Sequence, residues 1–470
     1  MTKEELANSY LSTADDTLRE AWRILTETND PVFITGDAGT GKTTLIKTFL
    51  EWTNLRFAVL APTGVAAINA GGQTIHSFYG FRAGALIYDA IKNLDNDFPA
   101  RKLHNAVDGI IIDEVSMVRA DLMDYIGWFY HKNYPKLRDL LFAGKRPIFV
   151  GDCDQLPPVV ASDEERKFLN AKYGHEFFYA ADCLRNRNLK IIKLKKVFRQ
   201  NDQYFIGLLN GIKRNTITDA DITSINEKCL KTELQPSDGI ILSATNEIAR
   251  NINYRMLNRL DAEAITLNAV INGEFKPSAA PVDPIIELKV GARVMLAVND
   301  WVKPRRFVNG TMGTLVAIDT NGCAEMPKRN KNDFMAFGDD EYPTYEGLVL
   351  EVKPDGSEET VLIPPYTFEQ KKYTYNEETK TLSDKVVSSF TQYPIKLAYA
   401  ITIHKSQGLT FDKVIIDLGR GAFAHGQLYV ALSRCRTLEG ISLRVPIKRE
   451  DLIYNQHILD FNSKLLQNEI

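Results

Sequence analysis

A chain of 470 residues is longer than one ordinary domain, so two to four compact units are expected, and 44% hydrophobic with 25% charged residues is the composition of a globular protein with ample core. A net charge of −3, from 57 Lys and Arg against 60 Asp and Glu, offers no global attraction to nucleic acid, so any such binding needs a local basic groove. The N-terminus MTKEELANSY lacks a leader's apolar run, no run is long enough to span a membrane, and the five scattered cysteines form no C-x-x-C pair; a cytoplasmic location, nucleoid-associated in a prokaryote, is expected, with no membrane partner, disulfide framework or zinc site.

In chain order, Leu18, Ala21, Trp22, Ile24 and Leu25 recur at helical spacing ahead of Asn29-Asp30, which predicts a helix lying on a nucleotide domain. PVFIT then reads as a short buried strand, GDAGTGKTT from Gly36 to Thr44 fits the G-x-x-x-x-G-K-[ST] phosphate loop, and TLIKTFLEW reads as a helix. That setting lets backbone N–H groups along Gly36, Ala38, Gly39, Thr40, Gly41 and Thr44 curl around phosphate oxygens, brings Lys42 to the β/γ-phosphates and gives Thr43 to Mg²⁺. The loop alone licenses only the binding of a nucleoside triphosphate.

Strand and helix patterns alternate through RFAVLAPTG, VAAINAGG, DGIIIDEVSMV and RPIFVGDCDQLPPV, which predicts a parallel, doubly wound sheet with ligands beyond the strand C-termini. A second set starts near LKIIKLKKVFRQ, runs through GIILSATNEIARNINYRML and resumes with AYAITIHKSQGLTFDKVIIDLG and QLYVALSRCRTL. Between them, from about 313 to 393, short alternating strands broken by turns such as Pro354-Asp355-Gly356 read as a small β-barrel inserted into the second α/β domain.

Asp113-Glu114 follows the apolar strand GIII; one carboxylate there can hold Mg²⁺ while the other polarises the attacking water. Gln155, in GDCDQLPPV, is the polar residue placed to sense a γ-phosphate, unless the segment is a Pro-terminated surface loop. Arg199 and Arg434, from the second α/β domain, could bring positive charge to the transition state from the far side of a cleft. Spacing alone leaves Arg434 equally readable as the solvated face of a helix whose Leu428, Ala431 and Leu432 turn to the core.

APTGVAAINAGGQTIHSFYGF, GDCDQLPPV, AYAITIHKSQGLTFDKVIIDLG and YVALSRCRTLEGI stand in order and nearly without gaps. Their run resembles a superfamily 1B DNA helicase, most of all the PIF (petite integration frequency) group, with RecD-type helicases as nearest relatives. The resemblance implies an α/β fold of two RecA-like parallel-sheet motor domains in tandem: 1–180 first, with 77–106 as an inserted wedge-like subdomain; 181–312 and 394–470 second; and 313–393 as an SH3-like β-barrel. It implies ATP and Mg²⁺ as cofactors, with Thr43 and Asp113 as metal ligands. Lys42, Asp113, Glu114, Gln155, Arg199 and Arg434 become the catalytic set, and Gly408 joins the nucleotide contacts. It assigns Pro62, Thr63, His76 and Phe78 to the first domain's single-strand track and Thr402, His404, Lys405 and Gln407 to the second's. It further implies a monomer that moves 5′ to 3′ on single-stranded DNA, engages single/double-strand junctions, opens duplexes and unfolds G-quadruplex DNA. An ATP-gated DNA-binding switch without processive unwinding is the alternative, and a small-molecule phosphotransferase a more distant one.

The family's adenine-reading Gln is missing from TADDTLREAWRIL, so the sequence accounts for the phosphates and not the base. HSFYGFR and WVKPRRFVNG add aromatic-basic segments of the kind that stack bases and track phosphates, the second equally readable as a solvated turn, while Lys328, Arg329 and Lys331 read as a solvated charge run.

Overall fold

Apolar runs of four or five residues, buried along their whole length, need a covered face on either side, and a parallel sheet with helices on both faces supplies it. The computed structural model, which describes residues 3–81, 99–160, 162–198, 202–231, 233, 239–275, 280–302, 306–326, 342–376, 381–407 and 409–467, contains two such sheets. The first joins β1 (Val32–Gly36), β2 (Phe57–Ala61), β3 (Gln73–Thr74), β4 (Gly109–Ile112), β5 (Arg146–Val150) and β6 (Lys190–Leu194), all parallel, in the order β3-β2-β4-β5-β1-β6. Its alternation is visible in β1: Val32 and Ile34 pack with Trp22, Leu45 and Phe49 on one face, and Phe33 packs with Phe129 and Phe178 on the other. The expected N-terminal helix runs Asp16–Glu27, capped by the Asp15 carboxylate, which accepts the Leu18 N–H.

The second sheet holds Ala400–Thr402, Ile240–Ser243, Val414–Asp417 and Ile441–Leu443 in that order, again all parallel. Between its strands lies an antiparallel module. Val361–Ile363, Thr344–Pro354, Met312–Glu325, Arg293–Leu296 and Ile395–Leu397 form five strands, and Tyr366–Asn376 pairs with Thr381–Gln392 in a long hairpin. That hairpin packs against the first domain's helices Gly64–Ala70, Ile75–Tyr79 and Pro99–Ala106. The expected turn at Asp355-Gly356 is present, with Gly356 at φ 76°.

Three segments differ from the boundaries read in the sequence. LKIIKL is β6 of the first sheet, paired with β1, because an apolar alternation marks a strand without saying which sheet it joins. Antiparallel pairing begins at Ala264–Asn268, well before 313. The helix Gln456–Gln467 returns to the first domain, where Ile458 and Phe461 enter the core and the Phe461 ring stacks on Tyr179 at 4.0 Å. Most of the expected wedge, residues 82–98, lies outside the described residues, as do Lys328, Arg329 and Lys331. Among the described residues, no helix is long and apolar enough to cross a membrane, and all five cysteines are free thiols.

Candidate functional site

The first domain's half of the site begins where β1 ends. Gly41, at φ 84°, makes the left-handed turn that starts the helix Lys42–Trp52, so the helix N-terminus and its unpaired N–H groups face the loop. Lys42 Nζ donates to the carbonyls of Gly36 (2.6 Å) and Asp37 (3.0 Å), and the Thr40 hydroxyl donates to Asp37 O at 2.9 Å. Burial lowers the Lys42 pKa, opposed by Asp152 and Glu114. Thr43 and Thr44 are exposed at the helix start.

β4 delivers Asp113 and Glu114 beside this loop, both half-buried. Asp113 Oδ1 accepts the Glu114 N–H at 2.9 Å, and Glu114 sits at φ 51°, a left-handed conformation that costs a non-glycine residue about 1–3 kcal/mol and recurs at functional sites. Burial raises the Asp113 pKa, and burial together with the Asp113 charge pushes Glu114 up to about 7. A threonine hydroxyl and a carboxylate are hard oxygen donors, and two carboxylates destabilised by burial, Glu114 also by the charge of Asp113, suit a divalent cation, so Thr43 and Asp113 fit Mg²⁺.

The second domain supplies the other half. Arg434, read from spacing as either a solvated or a functional residue, is 1% exposed. Its Nε donates to Val430 O (2.9 Å), Nη1 to Ser406 O and Leu409 O (both 3.3 Å) and Nη2 to Ser433 Oγ (2.8 Å), and its charge acts on Glu114. Gln155 is buried and joins the two halves: its Nε2 donates to Asp152 Oδ2 at 3.0 Å, and its Oε1 accepts from Gln407 Nε2 at 3.2 Å. Arg199 and Gly408 lie outside the described residues. Phe198, the neighbour of Arg199, donates its N–H to Gly39 O at 2.9 Å.

Sequence reasoning missed a second set of contacts across the cleft. Lys213, the last residue of the helix Gln203–Lys213, places Nζ 2.5 Å from Asp37 and 2.7 Å from Asp154, and Tyr429 OH accepts the Ala38 N–H at 3.4 Å. Gly426 approaches so closely that a Cβ there would lie 2.5 Å from Asp154 O. The one signal for Lys213 was its i, i+4 spacing from Phe205 and Leu209, which turns it to the buried face.

The nucleic-acid expectations divide. Thr63 is exposed and caps the helix Gly64–Ala70 by accepting the Ala66 N–H at 3.2 Å, with Pro62 and His76 half-buried nearby in sequence. Phe78 departs from expectation: it is 4% exposed and packs edge-on against Tyr79 and His104, because Ile75, Phe78 and Tyr79 form the inward face of their short helix. On the other domain, Thr402 is buried and accepts the Lys405 N–H, Lys405 is exposed, and burial lowers the half-buried His404's pKa. WVKPRRFVNG reads structurally where described: Trp301 Nε1 donates to Glu325 O and its ring stacks on Tyr366, Phe307 is buried, and Arg306 pairs with Asp300 at 2.8 Å.

Comparison with known proteins matches residues 16–219 to the family described as PIF1-like helicase and residues 397–438 to the UvrD-like helicase C-terminal domain. Unliganded Pif1 from Bacteroides sp. is 34% identical over 96% of both chains, with a TM-score of 0.81. The chain belongs to the PIF1-like helicase family. The tandem RecA-like architecture of these PIF1-like helicases is therefore its fold. The Bacteroides protein in complex with ADP-AlF4 gives a TM-score of 0.79 at 33% identity, covering 97% of both chains. Bound to single-stranded DNA it gives 0.65 over 96% of this chain and 97% of that one at 34% identity, so the present structure lies nearer the two DNA-free forms, unliganded and with ADP-AlF4, than the DNA-bound one. The Campylobacter jejuni relative, named ATP-dependent DNA helicase Pif1, is 28% identical over 93% of this chain and 94% of its own length.

Proposed function

We propose that the chain is an ATP-dependent DNA helicase whose two motor domains close on ATP and reopen after hydrolysis, drawing single-stranded DNA through the molecule 5′ to 3′. The single observation that carries this reading is Gln155. It is held by Asp152 beside the phosphate loop and bonded to Gln407 in the segment assigned to DNA, so one side chain spans the nucleotide half and the nucleic-acid half.

The chain's own residues then divide the work. Backbone N–H groups from Ala38 to Thr44 cradle the phosphates, and Lys42 exchanges its carbonyl partners for phosphate oxygens. Mg²⁺, held by Thr43 and Asp113, would supply charge neutralisation at the β/γ-phosphates. Glu114 takes a proton from the attacking water and orients it. Arg434, with Arg199 in the same role, neutralises charge that grows only in the transition state, so its contribution falls on kcat. Nucleotide binds the closed form more tightly than the open one, and that difference biases the movement.

This reading assigns Pro62, Thr63 and His76 with Thr402, His404, Lys405 and Gln407 to the strand track. It takes the antiparallel module as the SH3-like closure over that track, with its hairpin against the first domain as support. It also makes the enzyme a cytoplasmic monomer acting on junctions and G-quadruplexes. Phosphate release measured with and without single-stranded DNA tests the core of it: hydrolysis should be strongly DNA-stimulated in the parent and absent in Lys42→Ala. Slow hydrolysis indifferent to DNA would indicate a nucleotide-gated switch instead.

A further inference from the structure

Lys213 has no part in the hydrolysis described above, yet its ammonium is paired with three carboxylates across the cleft. It is 7% exposed and, though carried by the second domain, lies among three carboxylates of the first: Asp37 at 2.5 Å, Asp154 at 2.7 Å and Asp152 at 3.9 Å. The Tyr429 ring lies beneath its ammonium at 5.3 Å, and the Tyr429 hydroxyl accepts the Ala38 N–H. Asp37 is the second residue of the phosphate loop, and Asp152 holds the Gln155 amide. Asn462 of the returning C-terminal helix also donates to Asp154, at 2.6 Å.

Two buried carboxylates, Asp152 and Asp154, together with the half-buried Asp37 of the phosphate-binding loop itself, oppose the arrival of a polyanion. Buried charge of this kind is tolerated only when paired, and breaking one partner away leaves the other uncompensated. Burial works against the Lys213 charge, but Asp152, Asp154, Tyr429 and Asp37 outweigh it and hold its pKa well above the ordinary lysine value, so it is a permanent cation. The same ammonium keeps Asp37 ionised against its own burial.

We propose that Lys213 is a positioning residue of the ATPase cycle: the counter-ion, delivered by the second domain, that neutralises the Asp37, Asp152 and Asp154 cluster and so makes nucleotide affinity depend on where that domain sits. This rests on the ATP-hydrolysis reading above. Lys213 need not touch the nucleotide. It acts through the charge and placement of the loop and of Gln155, so its removal should appear mainly in KM.

The test is a double-substitution cycle in the full chain, with ATP as the probe. Lys213→Met should raise KM for ATP about tenfold, within the range usual for coupling between sites, with kcat changed far less. Lys213→Arg should recover most of the loss. Asp37→Asn placed in the Lys213→Met background should return KM towards the parent value. A lysine serving only to pack the interface would give additive losses, with no rescue by Asp37→Asn. Additive losses or an unchanged KM in Lys213→Met overturn the proposal. If Lys213→Met does not fold by circular dichroism, Asp37→Asn alone decides, since it removes negative charge and keeps the lysine: KM should fall roughly fivefold, and an unchanged or higher KM overturns the proposal. A parent chain without ATPase activity would instead defeat the underlying hydrolysis reading.

Discussion

Replacing Arg434 by alanine deletes a guanidinium that is 1% exposed and donates to Val430 O, Ser406 O, Leu409 O and Ser433 Oγ. Nε and Nη2 hold the side chain with bonds of 2.9 and 2.8 Å, whereas both Nη1 contacts are long, at 3.3 Å, and are the ones a γ-phosphate would replace most cheaply. An arginine that meets the transition-state phosphoryl group is worth about 10³–10⁵ in kcat. With Arg199 assigned to the same phosphate, the lower end applies, a loss of about 10³-fold or about 4 kcal/mol of barrier. The deletion also takes its Arg434 donor from Leu409 O, at roughly 1–3 kcal/mol, while Val430 O keeps the Ser433 hydroxyl and Ser406 O keeps the Leu409 N–H, so stability must be followed separately. The assay is single-turnover hydrolysis at saturating ATP, with binding of a fluorescent ATP analogue and a thermal melt alongside. Near-parent nucleotide binding with kcat down about 10³-fold is expected, and Arg434→Lys should recover little because it keeps charge without the planar fork. A folded Arg434→Ala variant with kcat within tenfold of the parent would remove Arg434 from the catalytic set.

Phe461→Ala should cost about 3–5 kcal/mol, as buried Phe truncations do, and lower the melting temperature of the unit containing β1, since Phe461 stacks on Tyr179 and contacts the Phe33 ring. An unchanged melt would mean that the C-terminal helix is not part of the first domain's core. Glu114 titrates with its pKa raised from the ordinary 4.5 to about 7, so the native state holds that proton more tightly than the unfolded chain does. Its contribution to stability is present below pH 4.5, is lost as pH rises through about 7, and amounts to about 3 kcal/mol. In metal-free buffer, Glu114→Gln should therefore melt above the parent at pH 8, with the gain vanishing towards pH 4; a pH-independent difference contradicts the raised pKa.

The chemistry that is contiguous in the chain was the most legible. A phosphate loop needs its glycines, lysine and threonine at fixed spacing, so Gly36 to Thr44 could be read directly, and Asp113, Glu114 and Gln155 follow from their positions after apolar strands. Arg434 shows the limit: its spacing fits either a solvated or a buried face, and only packing decides. Phe78 could have been read better, because Ile75, Phe78 and Tyr79 stand at i, i+3 and i+4, the pattern of an inward helical face. β6 and the C-terminal helix were legible as elements but not in their partners, which depend on long-range pairing. Lys213 was hidden for a different reason, since a lysine in the last turn of a helix ordinarily faces water, and its three acidic partners lie in another domain.

The most direct test of the central claim is unwinding of matched duplexes that carry only a 5′ or only a 3′ single-stranded tail, with ATP and Mg²⁺, for the parent and for Lys42→Ala. The parent should separate the 5′-tailed duplex and leave the 3′-tailed one paired, and Lys42→Ala should separate neither. Unwinding by Lys42→Ala, or none by a parent that hydrolyses ATP on single-stranded DNA, would contradict the account.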